Sequence, residues 1–315
     1  MTEAGAHEAN GSLGVVLAAL AGNLAIVVVK FVAFALTRST AMLTEAIHST
    51  VDSLDQVLLL VGQARARRPP DESHAFGYGM EAFFWSFIVA LLIFGAGGAV
   101  SIWQGAHKLL SPQPMERPWI NFVVLALCAV FEGSSFAVAY REFRRFMRGR
   151  RRSLPLWQFL TASKDPTLIA TLLEDGAALA GLAIAALGVA GQSLLGLAWA
   201  DGAASIAIGL LLVLVALFLA NETRSLIAGE AAAPPIVEAV RQILNDDPNV
   251  EAVTDVSSLH LGPTQILIAI TLRLRRGDGA ASSLQNVAAL EAAVRTADDR
   301  ICSVYFRPEP PADEA

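Results

Sequence analysis

The sequence predicts a membrane α-helical bundle with six transmembrane helices, followed by a small α+β domain. Of its 315 residues, 54% are hydrophobic and only 17% are charged, and the mean hydropathy is +0.52. Because soluble domains carry about 25% charged residues, this composition is typical of a protein whose natural solvent is a lipid bilayer. The formal net charge of −6 is small for this length, and we expect no nucleic-acid partner.

Six stretches are long and apolar enough to cross a hydrocarbon core, which takes about 20 helical residues. They are residues 13–36, 41–62, 82–104, 119–140, 167–190 and 203–220. The fifth stretch is rich in glycine and alanine, which allow a neighbouring helix backbone to approach closely. The N-terminus is acidic and has no signal-peptide pattern, so we expect the first apolar stretch to be retained.

Basic residues of the connecting loops are concentrated on one side of the predicted membrane. That side holds twelve: Arg65, Arg67, Arg68, Arg141, Arg144, Arg145, Arg148, Arg150, Arg151, Arg152, Lys164 and Arg224. The other side holds three: Arg38, Lys108 and Arg117. By the positive-inside rule, the first side and both termini are cytoplasmic. The high Ala, Leu and Arg content favours the inner (plasma) membrane of a bacterium.

After Asn221 the composition becomes that of a soluble domain. The pattern predicts helices over 234–246 and 281–297 and strands over 250–261, 266–274 and 301–306. This order favours an α+β sandwich with its helices on one face of a sheet. We therefore divide the chain into four parts: an N-terminal tail 1–12, a transmembrane domain 13–225, a C-terminal domain 226–308 and a tail 309–315.

The second stretch carries four ionisable side chains, and such groups are costly in hydrocarbon and usually functional. His48, Asp52 and Asp55 are spaced by four and then three residues, so they lie on one face of a helix. An imidazole with two carboxylates on one face suits a divalent metal such as zinc. We expect a metal site here, with the metal as substrate and no prosthetic group.

Other stretches add polar residues at a similar depth. With a rise of ~1.5 Å per residue, the following lie roughly 10 to 15 Å from the cytoplasmic ends: Asn23, Asp52, Asp55, Glu132, Glu174 and Asp175. His48 lies at about 21 Å. Glu174 and Asp175 are adjacent and point about 100° apart, so one of them is expected to make a supporting or interhelical contact. Asn23 and Glu132 are candidates for polar support.

Lys30 and Glu45 lie together at about 25 Å by the same arithmetic. We expect these two residues to form a structural ion pair that takes no part in transport.

A metal that binds neutral His48 and ionised carboxylates must displace protons, and the protons return when the metal leaves. This linkage predicts export of cytoplasmic metal against inward protons, with His48 and Asp52 as the proton carriers.

Two other functions are compatible with parts of the pattern. The spacing His48-x-x-x-Asp52 also occurs at acyltransferase active sites, where the histidine is a general base, but no nucleophile is nearby. The second alternative function is that of a membrane scaffold or sensor that keeps the fold but has lost transport.

Five segments together resemble the cation diffusion facilitator family, and within it the zinc transporter 9-like subgroup. They are residues 40–52, 71–79, 163–166, 172–175 and 200–202. The resemblance implies six spans with a cytoplasmic ferredoxin-like domain, a homodimer, and zinc efflux by proton antiport. The protein is accordingly expected to be a transporter and not an enzyme.

The resemblance also implies a four-ligand transport site, with two ligands on the second span and two on the fifth. The second-span pair matches as His48 and Asp52. The fifth-span pair matches only at Asp175, because the position four residues earlier is Thr171. The fourth ligand is therefore Thr171, Glu174, Asp55 or a water molecule. A site with few nitrogen ligands suits harder ions such as manganese, and iron or cadmium are further alternatives.

The loop after the second span resembles another metal site of the family, with matching positions Asp71 and His74. The third position holds Tyr78, so this second metal site looks incomplete. In the C-terminal domain the sole histidine is His260, which favours dimerisation over a regulatory metal site as the role of that domain.

Overall fold

A computed structural model describes residues 23–111, 117–148, 166–275 and 280–309. The described residues form two compact units. The first, which we call the helical unit, contains the described residues of 1–61, 85–159 and 166–221. The second, which we call the sheet unit, contains residues 62–84 together with the described residues of 222–315.

Six long helices run through the described residues up to Ile227. They are α1 Asn23–Thr37, α2 Thr40–Ala66, α3 Glu81–Leu110, α4 Pro118–Arg148, α5 Pro166–Leu195 and α6 Ala200–Ile227. Within α3 the segment Ile93–Ala99 is a π-helix. Most of these helices extend beyond the predicted apolar stretches, since the helical hydrogen-bond pattern continues into the polar segments at their ends.

Four of the described helices are long and apolar enough to cross a membrane: α3, α4, α5 and α6. Residues 13–22 of the first predicted span lie outside the described residues, and the described part, α1, is shorter. Helix α2 has sufficient length but carries the ionisable residues noted above. The chain is thus a membrane protein with at least four apolar helices, and the count of six spans stays a prediction.

The N-terminus of α2 is held by a carboxylate from α6. Asp201 accepts hydrogen bonds from Ser39 Oγ at 2.6 Å, from the Thr40 backbone N–H at 2.6 Å and from the Ala41 N–H at 3.2 Å. These groups belong to the first turn of the helix, whose N–H groups have no partner within the helix. The contact fixes the start of α2 and hence the position of His48, two turns further on.

Helices α3 and α6 contact through glycines. A Cβ at Gly105 would lie 2.6 Å from the Gly202 carbonyl oxygen, and a Cβ at Gly209 would lie 2.8 Å from the Gly98 carbonyl oxygen. The two backbones therefore pack as closely as small residues allow.

The sheet unit contains every helix and strand predicted after Asn221. They are α7 Pro234–Asn245, β1 Val250–Gly262, β2 Gln265–Leu274, α8 Ala280–Arg295 and β3 Ile301–Pro308. The strand order is β1-β2-β3, with β1 antiparallel and β3 parallel to β2. Alternate residues of β2 from Ile266 to Leu272 are buried with Val240 of α7 and Val294 of α8. Both helices therefore cover the same face of the sheet, as predicted.

Candidate functional site

Helix α2 presents buried ionisable groups in the middle of the helical unit. His48 is 2% exposed, and its Nδ1 lies 3.2 Å from Asp52 Oδ1. Asp55 is fully buried. His48 Nε2 and both Asp55 carboxylate oxygens make no hydrogen bond to any other described residue. Since buried polar atoms are normally hydrogen-bonded, these atoms are available to a ligand.

Helix α5 brings two further carboxyl groups to the same region. Glu174 and Asp175 are both buried, and each interacts electrostatically with Asp52 of α2. Glu174 also interacts with Asp55, and its Oε1 lacks a hydrogen-bond partner within the described chain. The ionisable side chains of α2 and α5 therefore lie close enough to interact electrostatically.

Asp175 makes the interhelical contact expected for one of the adjacent pair. Its Oδ2 accepts a hydrogen bond from Ser135 Oγ of α4 at 2.9 Å. Ser135 was not identified from the sequence. A signal existed, because Ser135 follows Glu132 by three residues and so shares a face of α4 with it. Thr171, one turn before Asp175, is partly buried.

Two of the predicted polar residues, Asn23 and Lys30 of α1, contact α2. Asn23 Nδ2 of α1 donates a hydrogen bond to Gln56 Oε1 at 2.9 Å. Lys30 of α1 is fully buried, and its Nζ lies 3.2 Å from Glu45 Oε2. The ion pair expected from the sequence is present in the structure, whereas its proposed separation from transport remains a prediction.

Two further groups contact the Lys30 ammonium. Nζ donates to Ser49 Oγ at 2.6 Å and lies 3.7 Å from Glu132 Oε1 of α4. Lys30 thus joins α1, α2 and α4, which the sequence pattern alone did not reveal.

These groups do not form a finished coordination sphere. Among the described residues, no three His, Cys, Asp or Glu side chains lie close enough together to hold a metal ion. The arrangement instead supplies an acidic, buried region with one histidine and several nitrogen and oxygen atoms that make no hydrogen bond to other described residues.

The loop between α2 and α3 is held by its own hydrogen bonds. Asp71 Oδ1 accepts from the Ser73 and His74 N–H groups at 2.9 and 2.8 Å, and Asp71 Oδ2 accepts from Tyr78 Oη at 2.6 Å. The bond from Tyr78 lowers the pKa of Asp71 and raises the pKa of Tyr78. The His74 ring stacks on Tyr78 with centroids 4.0 Å apart.

Asp71 and His74 are therefore adjacent, with Asp71 Oδ1 3.7 Å from His74 Nδ1. Within the described residues there is no third ligand beside them, and the Asp71 carboxylate already accepts three hydrogen bonds. The second metal site predicted from the loop stays a prediction, and this geometry does not favour it.

Residues 16–228 match the model of the cation efflux transmembrane domain. The human mitochondrial proton-coupled zinc antiporter SLC30A9 is 34% identical over 74% of this chain and 41% of its own length. Metal tolerance protein C4 of Arabidopsis thaliana is 32% identical over 79% of this chain and 54% of its own length. The magnetosome protein MamM of Paramagnetospirillum magneticum is 26% identical over 83% of this chain and 76% of its own length.

The chain spans about two fifths of the length of the SLC30A9 relatives it matches. The family match covers the six long helices and the region that holds His48, Asp52 and Asp175. Together with the apolar helices, these similarities identify an integral membrane protein that belongs to the cation efflux family, also called the cation diffusion facilitators, in its zinc transporter 9-like group.

Proposed function

We propose that this protein exports a divalent transition metal, most of all zinc, from the cytoplasm in exchange for protons. The observation that supports the proposal best is the His48–Asp52 pair of α2, together with its electrostatic interaction with the buried carboxyl groups of α5. Ionisable groups gathered inside a membrane bundle mark an ion pathway. Relatives named as a zinc antiporter and as a metal tolerance protein agree with this function.

His48, Asp52 and Asp175 are the proposed ligands, with His48 binding through Nε2. Glu174 is our first choice for the fourth ligand, because it is buried, interacts with Asp52 and has an oxygen that no other described residue hydrogen-bonds. Asp55 is the next choice on the same grounds, ahead of Thr171 or water. Because such a set contains a single nitrogen donor, manganese is the principal alternative substrate.

Proton exchange follows from the same ligands. Zinc binds neutral imidazole and ionised carboxylate, so in this proposal zinc and protons compete for His48 and Asp52. When the metal leaves on the other side, the two groups take up protons again. The metal gradient and the proton gradient are thereby coupled through one site.

The basic loops favour cytoplasmic termini, and the high Ala, Leu and Arg content favours insertion in a bacterial inner membrane. We further propose that the chain forms a homodimer, with the C-terminal domain as a ferredoxin-like dimerisation domain. The two helices on one face of a three-stranded sheet support this interpretation.

The test is metal uptake by proteoliposomes under a proton gradient, with zinc, manganese, iron and cadmium compared side by side. We expect zinc uptake by the wild type, and its loss in His48→Ala and in Asp175→Ala. His107→Ala is the matched control, since it removes a histidine near the end of α3 that belongs to neither predicted metal site and should retain uptake. A wild type that carries no metal contradicts the transporter; active His48→Ala and Asp175→Ala variants contradict the site.

A further inference from the structure

Lys30 has an unusual environment for a membrane lysine. Its side chain is fully buried in the helical unit, where an isolated ammonium would be very costly. Three oxygen atoms surround Nζ: Ser49 Oγ at 2.6 Å, Glu45 Oε2 at 3.2 Å and Glu132 Oε1 at 3.7 Å. Two carboxylates and a hydroxyl around Nζ stabilise the charged form of Lys30.

The charge of Lys30 also acts on the proposed transport site. Ser49, which accepts a hydrogen bond from Lys30 Nζ, is adjacent to His48 in α2, and Asp52 is among the electrostatic partners of Lys30. Six buried or partly buried carboxyl groups gather in this region: Glu45, Asp52, Asp55, Glu132, Glu174 and Asp175. We call these six groups the acidic cluster. Among the described residues, Lys30 is the lysine or arginine side chain that forms ion pairs within it, with Glu45 and Glu132.

We propose that Lys30 is a tethered cation that limits the affinity of the transport site for metal. The inference rests on the proposed function. While Lys30 engages Glu45 and Glu132, these two carboxylates do not add to the negative charge that attracts the substrate. The ammonium also repels a divalent ion bound at His48 and Asp52. Both effects weaken binding.

Weaker binding has a use in transport. An ion must be held strongly enough to enter and weakly enough to leave, and six carboxyl groups without a cation would favour retention of the metal. Lys30 therefore acts as a positioning and affinity-setting residue and is not itself a ligand. This role replaces the expectation from the sequence that the Lys30–Glu45 pair takes no part in transport, because an ion pair that only stabilised the fold would leave metal affinity unchanged.

The experiment measures the zinc dissociation constant of the purified full chain in detergent, and zinc flux in proteoliposomes. In Lys30→Met, we expect the dissociation constant to fall by about tenfold, because a positive charge near a divalent ion is removed in partly buried surroundings. Flux at saturating zinc should fall as well, since release becomes slower. Lys30→Arg keeps the charge and should retain wild-type affinity.

Variants of Glu45 make the prediction independent of whether Lys30→Met folds. Glu45→Gln leaves the ammonium less well neutralised, so the dissociation constant should rise. Lys30→Met combined with Glu45→Gln restores the charge balance and should return the affinity to that of the wild type. Lys108→Met is the matched control, because Lys108 is also buried but contacts the Arg38 carbonyl oxygen at 3.5 Å instead of the acidic cluster.

An unchanged zinc dissociation constant in both Lys30→Met and Glu45→Gln would overturn the inference. So would an equal effect of Lys108→Met, because the shift would then follow from the loss of any buried lysine. If the wild type itself binds no zinc, the proposed function fails; if it binds zinc and the variants do not shift, only the role of Lys30 fails.

Discussion

One carboxylate oxygen of Asp175 already accepts a hydrogen bond from another helix. Ser135 of α4 donates to Oδ2, which leaves Oδ1 to bind a metal. A ligand held in this way is preoriented, and a hydrogen bond to a carboxylate that binds metal commonly affects metal affinity. The serine should therefore influence metal binding without contacting the metal.

Replacing Ser135 by alanine should raise the zinc concentration for half-maximal uptake by about threefold to tenfold, since a hydrogen bond to a charged group is lost. The maximal rate should change less, and Ser135→Thr should restore uptake because it keeps the hydroxyl. The adjacent Ser134 is the control: its hydroxyl donates to the Phe131 carbonyl oxygen at 2.7 Å, so Ser134→Ala should behave as wild type. Equal uptake curves for Ser135→Ala and wild type would disprove the role of Ser135.

The shared helix face of ionisable residues is the part of the arrangement that helical spacing predicts from the sequence. His48, Asp52 and Asp55 share a face because of their periodicity, and the structure has the same arrangement. Ser135 and Gln56 were not found, because each is an ordinary polar residue until its partner from another helix is known. Interhelical hydrogen bonds depend on how helices rotate and pack, which one sequence does not contain.

The loop between α2 and α3 shows how an element can be held by a few polar contacts. Tyr78 and the backbone N–H groups of Ser73 and His74 all donate to Asp71. Gly79 lies next to Tyr78, and a Cβ at this position would collide with the Leu261 carbonyl oxygen of β1. The Phe76 ring contacts the Tyr305 ring of β3 edge-on, with centroids 6.3 Å apart. The loop is thereby packed on the sheet.

Removal of the phenolic hydroxyl should loosen this loop. In Tyr78→Phe, we expect the amide hydrogens of Ser73 and His74 to exchange severalfold faster with solvent, measured on the full chain. Tyr305→Phe removes a hydroxyl from the same unit but not from this loop, and should leave those amides unchanged. Unchanged exchange in Tyr78→Phe would show that the hydrogen bond does not order the loop.

The same hydrogen bond has a defined pH range. Because the folded-state pKa of Asp71 is lowered, its contribution is present above about pH 3.9 and is lost as pH falls through the folded-state pKa. Because the folded-state pKa of Tyr78 is raised, its contribution is present below about pH 10 and is lost as pH rises through the folded-state pKa. Protection of the Ser73 and His74 amides should therefore be constant near neutral pH.

At the scale of the whole molecule, the sequence predicted the helical part and the α+β part correctly in type and order. The sheet unit follows the prediction within a few residues at each boundary, because alternating residues such as those of β2 leave one face to be buried. The packing of the loop at residues 67–80 within that unit was not predicted, since it depends on contacts with β1 and β3 that are far away in the sequence.

Helix length and apolarity do not fix the number of membrane spans, for a physical reason. Helix α2 owes its polar character to Glu45, His48, Asp52 and Asp55, and the same residues that make it a candidate ion pathway remove it from the apolar class. Length and apolarity alone thus identify four helices of the described chain. The proposed transport function rests on the buried and partly buried carboxyl groups of α2, α4 and α5 and on Lys30 of α1.

The most direct test of this account is proton movement driven by metal. Wild-type protein in proteoliposomes that contain a pH-sensitive dye should move protons opposite to zinc when a zinc gradient is applied, and His48→Ala should abolish both zinc and proton movement. Zinc flux by the wild type without any opposing proton flux would contradict exchange at His48 and Asp52, and unchanged zinc and proton flux in His48→Ala would contradict the site itself.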